Sequence, residues 1–266
     1  SRVELAVGLA GLEKVDGYEA TTRARRLGLH GNGKTPAEVT TAVRHRVGHL
    51  VIDSPEEVDY AVAAVHELRR SGDFGPAERA RVMVRLTTGI HAGGHEYIST
   101  AHEDQKFGLS VSTGAARRTI DAIMAAEELE LAGLHSHIGS QILDLAGFRE
   151  AVGVVLGLRH EIAVDTGHLC PEIDLGGGYG IAYTGADPVA PSPAQVARAL
   201  AEAVRETCER LGDEVPTVSI EPGRAVAGPT TVTLYTVTGL KRVELGAGAS
   251  RLYVSIDGGM SDNIRP

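Results

Sequence analysis

Cysteine is nearly absent from these 266 residues, which carry only Cys170 and Cys208. Two thiols in so long a chain make no disulfide framework, so a reducing compartment is expected, the cytoplasm by default. No apolar run approaches the roughly 20 residues that a membrane span needs, and no charged-then-apolar signal segment opens the sequence. Positive charge is scarce too: 26 Lys and Arg stand against 35 Asp and Glu, for a net charge of −9. That balance argues against a nucleic-acid partner, because phosphate backbones select basic surfaces. The tight basic cluster early in the chain, Arg23, Arg25 and Arg26, reads as a solvated loop. Two chemical signatures are missing as well. There is no H-E-x-x-H, so the ligand-rich stretch from His91 to Asp104 is read as a polar loop over a site, and no metal is expected. No G-x-G-x-x-G opens a helix, so the Rossmann fingerprint is absent.

What is present is a repeat of short apolar strand, polar loop and capped helix. Three helix starts share one signature: Thr35-Pro36-Ala37-Glu38, Ser54-Pro55-Glu56-Glu57 and Ser192-Pro193-Ala194-Gln195. Each offers a hydroxyl at the N-cap, proline at the first helical position and Glu or Gln at N3, a capping box. Helices are expected around 36–46, 56–70, 114–128, 146–163 and 193–211. On the last of these, Cys208 continues the stripe Val196, Leu200, Val204 and so should be a buried thiol. Strands are expected at Leu27–His30, Leu50–Asp53, Val82–Thr87, Leu131–His135, Ile173–Leu175 and Val218–Glu221. Alternation at this spacing implies right-handed βαβ crossovers and a parallel sheet. Six strands in this phase are fewer than the eight of a closed α/β barrel, so the expectation is a partial (β/α)8 barrel. After Gly228-Pro229 the pattern changes, and Thr230–Val237 and Arg251–Asp257 read as strands without a helix between them. The expected division is therefore a barrel over 1–229 and the start of a β-rich domain over 230–266.

Three glycine-bearing motifs follow apolar runs. Gly176-Gly177-Gly178-Tyr179-Gly180 ends a strand, and glycines there let backbone N–H groups approach a phosphate closely. Glu221-Pro222-Gly223-Arg224 sets a carboxylate at a strand end, proline to stop the strand, and an arginine three residues on. Strand ends on the C-terminal face of a parallel barrel are where ligand-binding residues sit. In Gly133-Leu134-His135-Ser136-His137-Ile138-Gly139-Ser140-Gln141, the strand should end near His135, and Gly139-Ser140 directly after His137 favours His137 as the functional histidine. A ring, a fixed negative charge and a fixed positive charge beside a glycine loop suit a phosphorylated, nitrogen-containing cofactor. Arg265 could clamp a substrate carboxylate, since guanidinium binds carboxylates bidentately.

Taken together, the motifs resemble those of the diaminopimelate decarboxylase family, fold-type III pyridoxal-phosphate enzymes with an alanine racemase-like barrel. The matching pieces are His30-Gly31-Asn32, Lys106-Phe107-Gly108, His135–Gln141, Asp174–Gly180, Glu221–Arg224 and Asp257–Arg265, in the family's order. The resemblance implies pyridoxal 5'-phosphate as cofactor and decarboxylation of meso-2,6-diaminoheptanedioate to L-lysine and CO₂. It implies that His137 stacks on the cofactor ring, that Ser140 and Gly176, Gly177 and Gly178 lie at its phosphate, and that Glu221 pairs with the ring nitrogen. Pro222, Gly223 and Arg224 complete the cofactor contacts, with Arg224 and Arg265 reaching the substrate. It also implies a homodimer.

The family's Schiff-base lysine sits in a Tyr-x-x-Lys-Ala setting that does not occur here; the lysines are Lys14, Lys34, Lys106 and Lys241. Lys34 matches a second, non-catalytic family lysine. The family's Ser-x-Gly-Glu corresponds to Ser1-Arg2-Val3-Glu4, and about nine extra residues fall around Glu13–Arg26. The expectation is thus a chain incomplete at both ends and inactive by itself. The alternatives are another fold-type III decarboxylase or racemase, or a non-catalytic protein that binds the cofactor.

Overall fold

The computed structural model describes residues 2–13, 24–90 and 106–262. Lys14, the ligand-rich stretch from His91 to Asp104, and Arg265 lie outside the described residues, as does most of the segment expected to be an insertion. The chain divides into two compact units, one ending at Val226 and one beginning at Ala227.

The first unit carries seven strands: β1 (Gly28–Leu29), β2 (His49–Ile52), β3 (Ala80–Thr87), β4 (Leu109–Ser110), β5 (Leu129–Ser136), β6 (Glu172–Asp174) and β7 (Thr217–Ser219). They form one parallel sheet in the order β1-β2-β3-β5-β6-β7. The two-residue β4, which the sequence pattern does not announce, pairs with β3 at Leu86 and Thr87, just past the point where β2 stops at Val84. The helices are α1 (Arg2–Glu13), α2 (Pro36–Arg44), α3 (Glu56–Ser71), α4 (Ala115–Ala125), α5 (Ala146–Thr166), α6 (Pro193–Leu211) and the single-turn α7 (Gly223–Ala227). The matched Ser1–Glu4 segment thus leads into a helix that the sequence reading did not include.

Side chains on successive strand positions alternate between the two faces of the sheet. Leu50 and Ile52 of β2 join the large core shared with the helices, whereas Val51 between them packs with Met83 and Ala132 in a separate small cluster. The sheet is therefore apolar on both faces, as a parallel α/β sheet must be. Arg159 of α5, fully buried, spans the lower edge by donating to the carbonyls of Cys170 (2.6 Å) and Glu214 (2.9 Å). Cys208 is buried on α6 as its stripe predicts, and burial pushes the Cys170 thiol up to about 11, so neither thiol is poised for chemistry.

Two of the three expected capping boxes form. Thr35 caps α2 with Glu38 reaching back, and Ser192 caps α6 with Gln195 reaching back. At α3 the third does not: Pro55 occupies the N-cap with no side-chain bond. The N3 carboxylate, Glu57, is drawn inward instead, accepting from the Asp53 amide at 2.8 Å and pairing with Lys34 Nζ at 2.8 Å. Lys34 Nζ also donates to the Gly31 carbonyl at 2.6 Å, which ties down the loop after β1. A buried ion pair outweighs a surface cap here because an unpaired carboxylate at that depth would be far more costly.

The second unit is a hairpin of β8 (Val237–Gly246) and β9 (Ala249–Ile256), turned through Ala247 and Gly248, both at positive φ. Two such residues make the turn whose twist suits paired strands. The expected strand at Thr230–Val237 is displaced. Residues 228–230 form a 3₁₀ turn, and pairing starts only at Val237, opposite Ile256. β-branched residues favour extended backbone, but a ladder also needs a partner strand in register.

The Lys34–Glu57 pair generates a stability prediction, since both side chains are almost fully buried. Replacing Lys34→Met strands Glu57 and should cost about 3–5 kcal/mol in chemical denaturation. Adding Glu57→Gln should recover most of the loss. A single-variant cost below about 1 kcal/mol would mean that water reaches the pair.

Candidate active site

The parallel register lines up ionisable residues at the C-terminal ends of neighbouring strands. Arg85 stands opposite His135, His135 opposite Asp174, and Asp174 opposite Ser219, two residues before Glu221. Asp53 directly follows β2, and its carboxylate takes Arg85 Nη1 at 3.4 Å, with both side chains buried. The Arg85 guanidinium also lies 4.6 Å from the centre of the Phe107 ring. Polar groups near the C-terminal ends of these strands are therefore gathered into one row.

The glycine loop closes over this row. Gly176 has φ +65° and Gly178 φ +97°, and any Cβ on Gly176, Gly177 or Gly178 would collide with the carbonyl oxygens of Ser136, Glu221 and Gly139 respectively. Only glycine lets three strand-end segments meet so closely. Tyr179 then anchors the loop, its ring stacked on Phe148 of α5 at 4.8 Å, while the Ile142 N–H donates to the Gly178 carbonyl and the Ile142 carbonyl accepts from the Gly180 N–H, both at 2.9 Å. Two of the loop's amides are already committed within the protein. The Gly176 N–H donates to Asp174 Oδ1 at 2.8 Å, and the Gly177 N–H donates to His137 Nδ1 at 3.2 Å.

Glu221 is the focus of the polar row. Its amide donates to the Gly176 carbonyl at 2.8 Å, fixing the backbone. Its Oε1 lies 3.1 Å from His30 Nε2, and its Oε2 lies 3.5 Å from His135 Nε2. Burial works to raise the Glu221 pKa, but the hydrogen bonds and charges of His135 and His30 outweigh it and hold the carboxyl well below its usual range. Asp174 is pushed the other way, chiefly by burial and also by the neighbouring Glu221 charge. The ligand atoms of His30, His135 and Glu221 lie within 4.8 Å of one another, a cluster that could hold a metal ion and that the sequence reading did not foresee. His135 Nδ1, however, has no partner among the described residues. A metal-binding histidine ordinarily hands its second ring proton to an acceptor.

On the other side of the glycine loop, Arg224 Nη2 donates to Ser140 Oγ at 3.1 Å, and Nη1 donates to the Tyr183 hydroxyl at 2.6 Å. Gln141, at positive φ, clamps Ile181 through both its amide atoms, by 2.5 Å and 3.2 Å bonds, and so holds the Tyr183 segment in place. Pro222 and Gly223 form the tight exit between Glu221 and Arg224, with the Gly223 N–H donating to the Glu221 carbonyl at 2.8 Å.

The structure thus brings His137, Ser140, Gly176–Gly178 and Glu221–Arg224 to one strand-end face. Arg265, expected at the substrate, lies outside the described residues. Sequence reasoning passed over His135 in favour of His137 and assigned no role to His30, Asp53, Arg85, Asp174 or Tyr183. A usable signal was present: Asp53, Arg85, His135 and Asp174 each stand at or near the end of an apolar run.

His137 also carries a pH prediction. Burial first, then the Arg85 charge and the neighbouring His135 and His30, push its pKa down to about 4, against a smaller opposing pull from Glu221. An unfolded histidine takes up a proton near pH 6.5, whereas the folded one resists until about 4, so stability is full above pH 6.5 and falls as pH drops through that window. His137→Gln should show a shallower loss than the unaltered protein in urea unfolding across that range. Parallel curves would contradict the burial of a neutral ring.

Comparison with known proteins agrees with this geometry. Residues 7–228 match the family model described as pyridoxal-dependent decarboxylase, pyridoxal binding domain. The chain is 45% identical over 269 residues to diaminopimelate decarboxylase of Mycobacterium tuberculosis, covering 98% of this chain and 56% of that protein. It is 38% identical over 243 residues to diaminopimelate decarboxylase of Bacillus subtilis, covering 91% of this chain and 52% of that protein. Its fold matches the crystal structure of diaminopimelate decarboxylase from M. jannaschii in complex with L-lysine, with a TM-score of 0.80 and 25% identity, covering 100% of this chain and 60% of that one. The chain spans about half the length of the curated relatives it matches. It belongs to the pyridoxal-dependent decarboxylases, whose pyridoxal-binding domain its residues 7–228 match.

Proposed function

We propose that the protein containing this chain decarboxylates meso-2,6-diaminoheptanedioate to L-lysine and CO₂ with pyridoxal 5'-phosphate. The observation that carries the cofactor reading is Glu221, a carboxylate held charged at the strand ends beside a glycine loop that no side chain could enter. The relatives' common name carries the substrate reading.

The residues present fit the cofactor's three chemical parts. A protonated ring nitrogen needs a fixed negative charge, and Glu221 supplies it. A ring face needs a flat, uncharged partner, and His137 is kept neutral by burial, its ring oriented by the Gly177 N–H. A phosphate needs donors and a cation, and Ser140 with Arg224 offers both within 3.1 Å of each other. Because the Gly176 and Gly177 amides already bond within the protein, the glycine loop serves the phosphate mainly by its close approach. When bound, the cofactor would act as the electron sink for the pair released as CO₂ leaves.

The chain's own groups then have defined tasks. Glu221 keeps a proton at the ring nitrogen by opposing its positive charge. His137 excludes water from one ring face, and Arg224 holds anionic oxygen at the Ser140 side. Arg265 is assigned to a substrate carboxylate by the family resemblance. Lys34 is not available to bond the cofactor, since its ammonium is engaged by Glu57 and the Gly31 carbonyl. None of the four lysines stands in the family's Tyr-x-x-Lys-Ala setting, so the 266 residues by themselves should bind the cofactor without efficient turnover. By the same resemblance the enzyme is a homodimer, and the scarcity of cysteine makes the cytoplasm its expected compartment; among the described residues no helix is long and apolar enough to cross a membrane.

Two measurements test this. The 266-residue chain should bind pyridoxal 5'-phosphate saturably, and Glu221→Ala should weaken binding by about tenfold or more, the scale of one charged hydrogen bond. The full reading frame containing these residues should release L-lysine and CO₂ in equal amounts from meso-2,6-diaminoheptanedioate and little CO₂ from L-ornithine. In it, Glu221→Gln should lower kcat/KM by about a hundredfold or more. Unchanged cofactor binding in Glu221→Ala, or preferential release from ornithine, would overturn the corresponding part of the reading.

A further inference from the structure

Glu221 has two histidine neighbours in different surroundings. The His135 side chain is 1% exposed and reaches Oε2 from inside the sheet, where it sits on β5 between Arg85 and Asp174 in register. The His30 side chain is 37% exposed and reaches Oε1 from the loop after β1. The two rings lie against each other, tilted by 51° with centroids 5.3 Å apart.

The buried Nδ1 of His135 has no partner among the described residues, and this decides where its proton sits in the neutral form. A proton on Nδ1 would bury an N–H donor with no acceptor and would leave the Nε2 lone pair facing a carboxylate lone pair. A proton on Nε2 leaves only an unpaired acceptor and points a donor at Glu221 Oε2. The second arrangement is cheaper, because an unsatisfied buried N–H carries the larger penalty. His135 is therefore a fixed donor, locked in a packed strand.

His30 is the more exposed partner. Its loop runs through Gly31 and Gly33, both at positive φ, and is held by the Lys34 ammonium on the Gly31 carbonyl. The exposed ring thus lies on the Oε1 side of Glu221 and the buried ring on the Oε2 side.

We propose that His135 is a positioning residue that permanently holds Glu221 Oε2, and that His30 occupies Oε1 only until the cofactor's ring nitrogen takes its place. This rests on the cofactor reading above. The consequence is a division of labour: one histidine aims the carboxylate, and the other satisfies it while the site is empty.

The test compares pyridoxal 5'-phosphate with its 1-deaza analogue, in which a ring CH replaces the nitrogen. The probes are titrated separately into the 266-residue chain and followed by absorbance. Because the deaza ring cannot pair with Glu221, aiming Glu221 matters only for the natural cofactor. His135→Leu should weaken pyridoxal 5'-phosphate by about tenfold to a hundredfold, the range of a hydrogen bond to a charged group, and leave the deaza analogue within about threefold. His135→Gln, whose amide nitrogen reaches the place of Nε2, should restore the natural cofactor to within about threefold. His135→Asn, too short to reach, should behave like the leucine variant, and this pair decides the matter if the leucine variant does not fold. His30→Ala should bind the natural cofactor as well as the unaltered chain or better.

Equal losses for both probes in His135→Asn would make His135 merely structural and overturn its positioning role, as would no loss for either. A loss in His30→Ala as large as in the His135 variants would overturn the division between permanent and exchangeable partner. If the unaltered chain binds neither probe, it is the cofactor reading that fails.

Discussion

The site depends on one steric constraint, the crowding of residues 176–178 by three carbonyl oxygens. Ser136, Gly139 and Glu221 each bring an oxygen to the space that a Cβ would occupy. With glycine at all three positions, the end of β5, its following loop and the segment after β7 converge on one point. That convergence sets His137 against the Gly177 amide and fixes the Glu221 backbone on the Gly176 carbonyl. A single methyl group would push these segments apart, and a misplacement of about 1 Å is enough to cost a catalytic geometry much of its rate.

On this frame the electrostatics are arranged as a gradient across the sheet. Asp53 and Arg85 neutralise each other at one end, with Phe107 against the guanidinium. Toward β7 the balance turns negative, with Asp174 and Glu221 close together and His135 and His30 beside them. Burial favours the uncharged form of Asp174, while hydrogen-bond donors favour the charged form of Glu221. Of the two neighbouring carboxyls, Glu221 is the one whose charge is favoured, which is what a protonated ring nitrogen requires. Lys34 contributes from outside the row, holding the His30 loop by its buried pairing with Glu57.

Much of this was legible in the residues. The spacing of apolar runs placed five of the six longer helices described in the first unit within a few residues and missed α1, because amphipathic periodicity and proline-led caps are local signals. The motifs at His137, Gly176 and Glu221 did converge, since strand ends of a parallel sheet share one face. Other features were hidden for physical reasons. His135 looked like a core residue because it is one by burial, and its function lies in a contact made 86 positions away. Glu57 resembled a cap residue, yet the competing buried lysine is 23 positions back. The strand β4 is two residues long and exists only because β3 offers an unpaired edge beyond β2. Residues 230–235 carried β propensity without a strand partner among the described residues, the first bonds across the hairpin coming at Thr236 with Asp257.

The central claim is that Glu221 faces the ring nitrogen of a bound pyridoxal 5'-phosphate and keeps it protonated. The most direct measurement is the ¹⁵N NMR shift of cofactor labelled at that nitrogen, recorded in complex with the chain at mildly alkaline pH. The account predicts the shift of a protonated pyridinium, moving to that of the free base in Glu221→Gln. A free-base shift in the unaltered complex would contradict it.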